Sequence, residues 1–344
     1  MKRIEYLDAT KGFAIFLMVF AHVIAWQFED YSQVVLLNAN QDSNIKVAGF
    51  LWQLVYSFHM PLFFLISGVF SDSKGSLSMK CIRKSRHLLI PYFTTGFFIL
   101  LVRPTFGYWF LFTLWQLQII SIFLSWILQK INKQNSLVLD VSIIVVVYGG
   151  FYYFFTRHSL TNPLCDLKKF VDYFIPFFFG YLLKKHNSIK EFIEGKYVFF
   201  LVLFVFMFSC RYIEAGGGNT LVPICNFLNR FSVTSILGSL FVMEYFRLGV
   251  NKRVESFLGY LGRNTLYIYV FHIFFVIQIK QVGSYWIQTN METCITTQIL
   301  YGTMASAIAI TLSLVCAAFV KKSSLLDRLF FGNIKKDVIS IQAK

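Results

Sequence analysis

The sequence predicts an all-α, polytopic membrane helical bundle of about ten transmembrane helices, with both termini cytoplasmic. Three observations predict it. Hydrophobic residues make up 56% of the 344 positions, 41 of them Phe, and charged residues only 14%, too little polar material to cover a water-facing surface. Apolar runs long enough for a bilayer crossing recur along the chain. The basic residues alternate between connectors: with the N-terminus inside, 24 of the 32 Lys and Arg fall on the cytoplasmic side, as the positive-inside rule requires.

The spans are expected near 9–28, 48–70, 88–104, 108–128, 137–156, 170–184, 197–213, 231–247, 264–280 and 298–320. The first follows Met1–Arg3 like a signal peptide, but it carries Asp8, Lys11 and His22 without a small-residue cleavage site and is read as retained. The second, WQLVYSFHMPLFFLISGVF, holds Pro61, which removes a backbone donor and kinks the helix. The third is short and entered through KCIRKSRH; the sixth is short and contains FIPFFFGYLL. Ten spans return the KK-rich C-terminus to the cytoplasm, whereas an odd number would leave it outside. Residues 1–322 therefore read as one transmembrane domain and 323–344 as a short cytoplasmic tail, either a membrane-surface helix or disordered.

Connectors 29–47, 157–169, 214–230 and 281–297 lie outside. The EAGGGNT turn at 214–220 lacks the strand and the GK[ST] of a phosphate loop. There is no internal repeat, coiled-coil seam or separate soluble domain. The net charge of +15 is dispersed over connectors instead of forming a stripe, which argues against nucleic-acid binding. The six cysteines show no CxxC or zinc spacing and are read as free thiols, with one outer-face disulfide as the lesser alternative.

An ionisable group inside a span costs about 2.5–3.5 kcal/mol, so such groups mark candidate sites. On a helix, Lys11 and His22 fall within about 20° of one face and about 16 Å apart along the axis. Asp8 lies three residues before Lys11, where it can pair with the lysine or serve as a helix-start carboxylate, and Lys11 can also snorkel to the inner surface. His59 and His272 lie near the middles of the second and ninth spans. Arg83 and Arg86, three apart at the mouth of the third, can anchor the helix at the anionic leaflet or hold phosphates. His87, His158 and His186 sit at span ends and are read as solvated. No HExxH or paired His/carboxylate spacing suggests a metal site, and no GxSxG suggests a serine hydrolase.

LDATKG followed by His22, FHMPLFFLISG, RKSRHLLIPY, YWFLFTLWQLQI, YFIPFFFGYLL and LGRNTLYIYVFHIFF, in that order across nearly the whole chain, resemble the acyltransferase-3 family of integral membrane acyltransferases, including its carbohydrate O-acetyltransferases. The family's basic position, followed by ten residues and then the first-span histidine, is Lys11 here instead of the commoner arginine, which keeps the charge and loses the bidentate fork. Its RxxR pair maps onto Arg83 and Arg86.

The resemblance implies transfer of an acyl group, usually acetyl, from cytoplasmic acyl-CoA to a hydroxyl of a carbohydrate or lipid-linked glycan, in the cytoplasmic membrane of a bacterium. Acyl-CoA would be a co-substrate, with no permanently bound cofactor. Many relatives carry an extracytoplasmic hydrolase-like domain, so this chain is expected to act alone, as a homo-oligomer or with a partner protein. His22 and Lys11 are the expected catalytic pair, His22 as general base. Lys11, Arg83 and Arg86 are expected to bind the donor, His59, His272 and Trp109 to serve the acceptor or an oxyanion, and Asp8 to give local support. Trp109 and Trp115 are placed near the outer side, for sugar stacking or interfacial anchoring. Direct transfer and an acyl-enzyme remain alternatives. The rival class is a polytopic glycan exporter, which would show paired broken helices in symmetric halves.

Overall fold

The structure is a computed structural model, and it describes residues 4–27, 43–71, 76–100, 108–131, 135–158, 161–162, 165–213, 221–229, 231–290 and 295–333. The outer connector 29–47, apart from its last residues, and the glycine-rich turn at 214–220 lie outside the described residues. The elements are α1 (Glu5–Trp26), α2 (Ser43–Tyr56), α3 (His59–Val69), α4 (Leu77–Leu100), α5 (Trp109–Ile131), α6 (Leu137–His158), α7 (Leu167–Lys185), α8 (Asn187–Ile193), α9 (Tyr197–Ile213), α10 (Leu221–Asn229), α11 (Val233–Arg247), α12 (Lys252–Arg263), α13 (Thr265–Asn290), α14 (Ile295–Lys322) and α15 (Ser324–Phe331). One two-residue antiparallel ladder pairs Thr161–Asn162 with Cys165–Asp166.

Helix occupies each of the ten stretches read as spans. Among the described residues five candidate spans are long and apolar enough to cross a membrane, Glu5–Trp26, Ile45–Val69, Trp109–Ile131, Leu137–Phe155 and Ile295–Lys322, or up to seven if each of two bent helix pairs is one span. The second candidate is broken at Ser57 and Phe58, just ahead of Pro61. The proline itself stands in the first turn of α3, where its missing N–H leaves no helical bond unmade.

The chain forms two compact units, residues 1–63 with 192–317, and residues 64–191 with 318–344. In the first unit α1 is the central element, buried from Leu7 to Ala25 on most faces and in contact with α2, α11, α12 and α13. Its closest approach is to α12. A Cβ on Gly12 would collide with the carbonyl of Leu258, and a Cβ on Gly262 with the carbonyl of Asp8. The contact is therefore reciprocal, backbone on backbone, and only glycine fits at either position. In a bilayer, where apolar burial gives no drive between helices, such close packing is what holds them together. α12 then turns by 79° into α13 across Asn264. On α14, Gly302, Ser306, Ala309, Ser313 and Ala317 are buried, while Met304, Ile308, Val315 and Phe319 are exposed, an apolar stripe suited to lipid.

The second unit repeats the device. A Cβ on Gly68 of α3 would strike the Phe177 carbonyl, and one on Gly180 of α7 the Leu65 carbonyl. Past Lys322, Ser323 caps α15 by accepting from the Leu326 N–H, and Gly332 ends it in the left-handed conformation at φ 64°. Thr94 donates to the Leu329 carbonyl at 2.7 Å, Phe98 stacks on Phe330, and Gly332 lies against the carbonyl of Arg86. α15 thus packs along α4.

The α1–α12 contact makes a stability prediction. Gly12→Ala or Gly262→Ala forces the backbones apart and costs about 1–3 kcal/mol, lowering the midpoint of thermal unfolding in detergent. Gly149→Ala, whose Cβ meets open space, leaves the midpoint unchanged or slightly raised.

Candidate active site

The first unit gathers three of the histidines picked out by the sequence. His22, half-buried on α1, places Nδ1 3.0 Å from Nε2 of His272 on α13 and Nε2 3.1 Å from the hydroxyl of Tyr56 at the end of α2. The two imidazoles stack at 5.2 Å, 11° from parallel. His59 opens α3 and packs its ring edge-on to Tyr56 at 4.6 Å.

Hydrogen-bond chemistry fixes the protons on these rings. Nδ1 of His272 lies 2.8 Å from the Tyr269 carbonyl and 3.1 Å from that of Ile268. A carbonyl only accepts, so Nδ1 carries the proton and Nε2 of the neutral ring is a lone pair. His22 must then donate from Nδ1 to His272, which leaves its own Nε2 as the lone pair that accepts from Tyr56. The same logic holds for His59, whose Nδ1 donates to the Val55 carbonyl at 2.8 Å. Its Nε2 is a fully buried acceptor with no hydrogen-bond partner among the described residues. In this state neither His59 nor His272 has an N–H to offer an oxyanion, and both rings present acceptors.

Aromatic rings surround His22. Trp26 stacks on it at 4.8 Å, and Trp52 stacks on Tyr56 at 4.0 Å. Trp26, Trp52 and Tyr56 were not singled out from the sequence. Their signal was helical spacing, with Trp26 four residues after His22 and Trp52 four before Tyr56. Three turns earlier on α1, Lys11 pairs with Asp8 at 3.9 Å, the local contact their spacing suggested. A cleft of about 420 Å³ adjoins them, lined by Glu5, Asp8, Lys252, Glu255, Ser256, Gly259 and Arg263. A second polar group braces this unit: Glu244, buried on α11, accepts from the Gly195 N–H at 3.0 Å and from Arg247 Nε at 2.8 Å, while Arg247 also bonds Glu194.

The second unit holds the remaining candidates. Arg83 and Arg86 are exposed near the start of α4. Between them Lys84 is half-buried, and burial pushes its ammonium down to about 8, helped by the like charges of Arg83 and Lys184. Trp115 donates from Nε1 to Ser85 at 2.9 Å, which puts it beside this basic stretch. Trp109 is engaged on its faces by Tyr173, stacked at 5.4 Å, and by the Lys169 ammonium at 4.2 Å.

His186 corrects another expectation, since it is buried instead of solvated. Its Nε2 lies 2.7 Å from Asp140, which is fully buried and also meets Lys185 at 2.5 Å. Asp140 stands in the first turn of α6 and its two partners at the end of α7. Each charge complements its helix end, a role that spacing within one helix could not reveal. Cys81, Cys210, Cys225 and Cys316 are free thiols. Among the described residues no group of three His, Cys, Asp or Glu side chains could hold a metal ion.

No curated protein and no solved structure matches the chain. The acyltransferase-3 family model, described as an acyltransferase domain, matches residues 4–318, a range that includes every site residue named above. That match supports a membrane acyltransferase and leaves the exporter reading without support. With six motifs in register, apolar helices long enough to span a bilayer and a match over nearly its whole length, the chain belongs to the acyltransferase-3 family.

Proposed function

We propose that this membrane acyltransferase moves an acyl group, acetyl by preference, from cytoplasmic acyl-CoA to a hydroxyl of a carbohydrate or lipid-linked glycan, with His22 as general base. One observation carries the reading. His22 is held in a single tautomer whose Nε2 lone pair already accepts from a hydroxyl, that of Tyr56. An acceptor hydroxyl taking the place of the phenol would give up its proton to Nε2 as its oxygen attacks the thioester carbon. The thiolate of CoA then leaves and takes the proton back. Trp26 and Trp52 beside this nitrogen support a sugar acceptor, whose ring faces are apolar and whose edges are polar.

The donor is negatively charged at its phosphates, and the cations proposed to meet it are Lys11, paired with Asp8, and Arg83 and Arg86, with Lys84 between them. Lys84 is half-buried beside the like charges of Arg83 and Lys184, and a phosphate there would relieve their repulsion. Ten spans with both termini cytoplasmic complete the reading and rest on the asymmetry of basic residues, and a bacterial inner membrane rests on the family resemblance.

General-base catalysis is worth about 10²–10⁴-fold. His22→Ala in purified protein is therefore expected to lower kcat by at least about 100-fold while acyl-CoA affinity stays unchanged; near-normal turnover would remove the base role. Lys84 sets a pH dependence. Its charge is present below about 8 and lost as pH rises through that value, so affinity for a non-hydrolysable acyl-CoA analogue should weaken about tenfold above pH 8. Lys84→Arg, which stays charged, should abolish that loss in the same titration.

A further inference from the structure

We propose that His272 is the positioning residue of the reaction: it holds His22 in the tautomer that carries the lone pair on Nε2, and it takes the Nδ1 proton as His22 becomes charged. The inference rests on His22 being the base and assigns what a base within an apolar span requires. A neutral imidazole exchanges between two tautomers, and only one exposes a lone pair at Nε2. The choice is set by what the other nitrogen meets. Here it meets Nε2 of His272 at 3.0 Å, a lone pair because the far side of that ring donates to two carbonyls.

The same arrangement can hold charge. When Nε2 of His22 accepts the acceptor's proton, its Nδ1 proton can pass to Nε2 of His272. The positive charge then rests on a ring whose remaining N–H is already bonded to the Ile268 and Tyr269 carbonyls. As the C–S bond breaks, His22 gives its Nε2 proton to the departing thiolate and recovers the Nδ1 proton from His272. Both rings return to their starting state, and the net change is alcohol plus thioester to ester plus thiol. In the serine-protease arrangement a carboxylate performs this orienting task. A neutral histidine can do it without a permanent charge in the apolar interior, where such a charge is costly. His272 is fully buried, touches His22 and needs no contact with the substrate.

The test uses the full-length protein labelled with 15N at histidine ring nitrogens, as wild type and as His272→Ala, His272→Gln and His22→Ala. In the wild type, ring 15N shifts should show His22 protonated at Nδ1 and bare at Nε2. His272→Ala should populate the opposite tautomer and lower kcat by about 100-fold, with KM for acyl-CoA within about twofold of wild type. In His272→Gln the amide oxygen can accept from Nδ1 but cannot take its proton, so the tautomer should return while kcat stays about tenfold low. An unchanged tautomer or unchanged kcat in His272→Ala overturns the proposal, and full recovery of kcat in His272→Gln overturns the proton-holding half. If His22→Ala is inactive and His272→Ala is not impaired, only this inference fails. Activity in His22→Ala would instead sink the base on which it stands.

Discussion

The backbone contact between Gly12 and Gly262 decides where α1 lies in its unit. Each glycine meets a carbonyl four residues before the other, so no side chain at either position can be accommodated without separating the helices. His22 lies ten residues beyond Gly12 and His272 ten beyond Gly262. A 3.0 Å hydrogen bond between side chains on different helices tolerates little drift, since its energy falls steeply with distance and angle. Backbone packing supplies the needed rigidity better than long, rotatable side chains do. The second unit relies on the same glycine device at Gly68 and Gly180, so one packing rule orders both units.

Much of this was legible in the sequence because membrane helices announce themselves one at a time. Apolar runs located the helices, and period 3.6 put Lys11 and His22 on one stripe and Asp8 within reach of Lys11. What was not legible depends on two helices at once. His272 could be chosen as a buried histidine, yet its partner, and therefore its role as acceptor, follows from the path of α13 after the 79° turn. Tyr56 and Trp52 looked like ordinary span aromatics. Asp140 and His186 are 46 residues apart in sequence and meet only because α6 and α7 pack together. The number of crossings was blurred for a related reason: α12 and α8 are short helices turned sharply into their neighbours, and a hydropathy window does not see angles.

The polar groups of the fold fall into two kinds. Asp140 with Lys185 and His186, and Glu244 with Arg247, are sets in which opposite charges meet away from water, with the exposed Glu194 at the edge of the second. Removing one partner from such a set strands the other and is costly. The histidines of the first unit and the cations around Lys84 are of another kind: ring lone pairs gather in one place and like charges in the other. Clusters of this sort are where a functional site is to be sought.

The fixed tautomers also give the site a polarity of recognition. Nε2 of His22 presents a lone pair to the Tyr56 hydroxyl, so whatever replaces that hydroxyl must offer it a hydrogen. Alcohols, amides and protonated amines satisfy such a surface; carboxylates, ketones and ethers, which offer only lone pairs of their own, are repelled by it. An inhibitor aimed at His22 must therefore arrive as a hydrogen-bond donor, and chemical libraries for this enzyme can be sorted by that property before shape is considered.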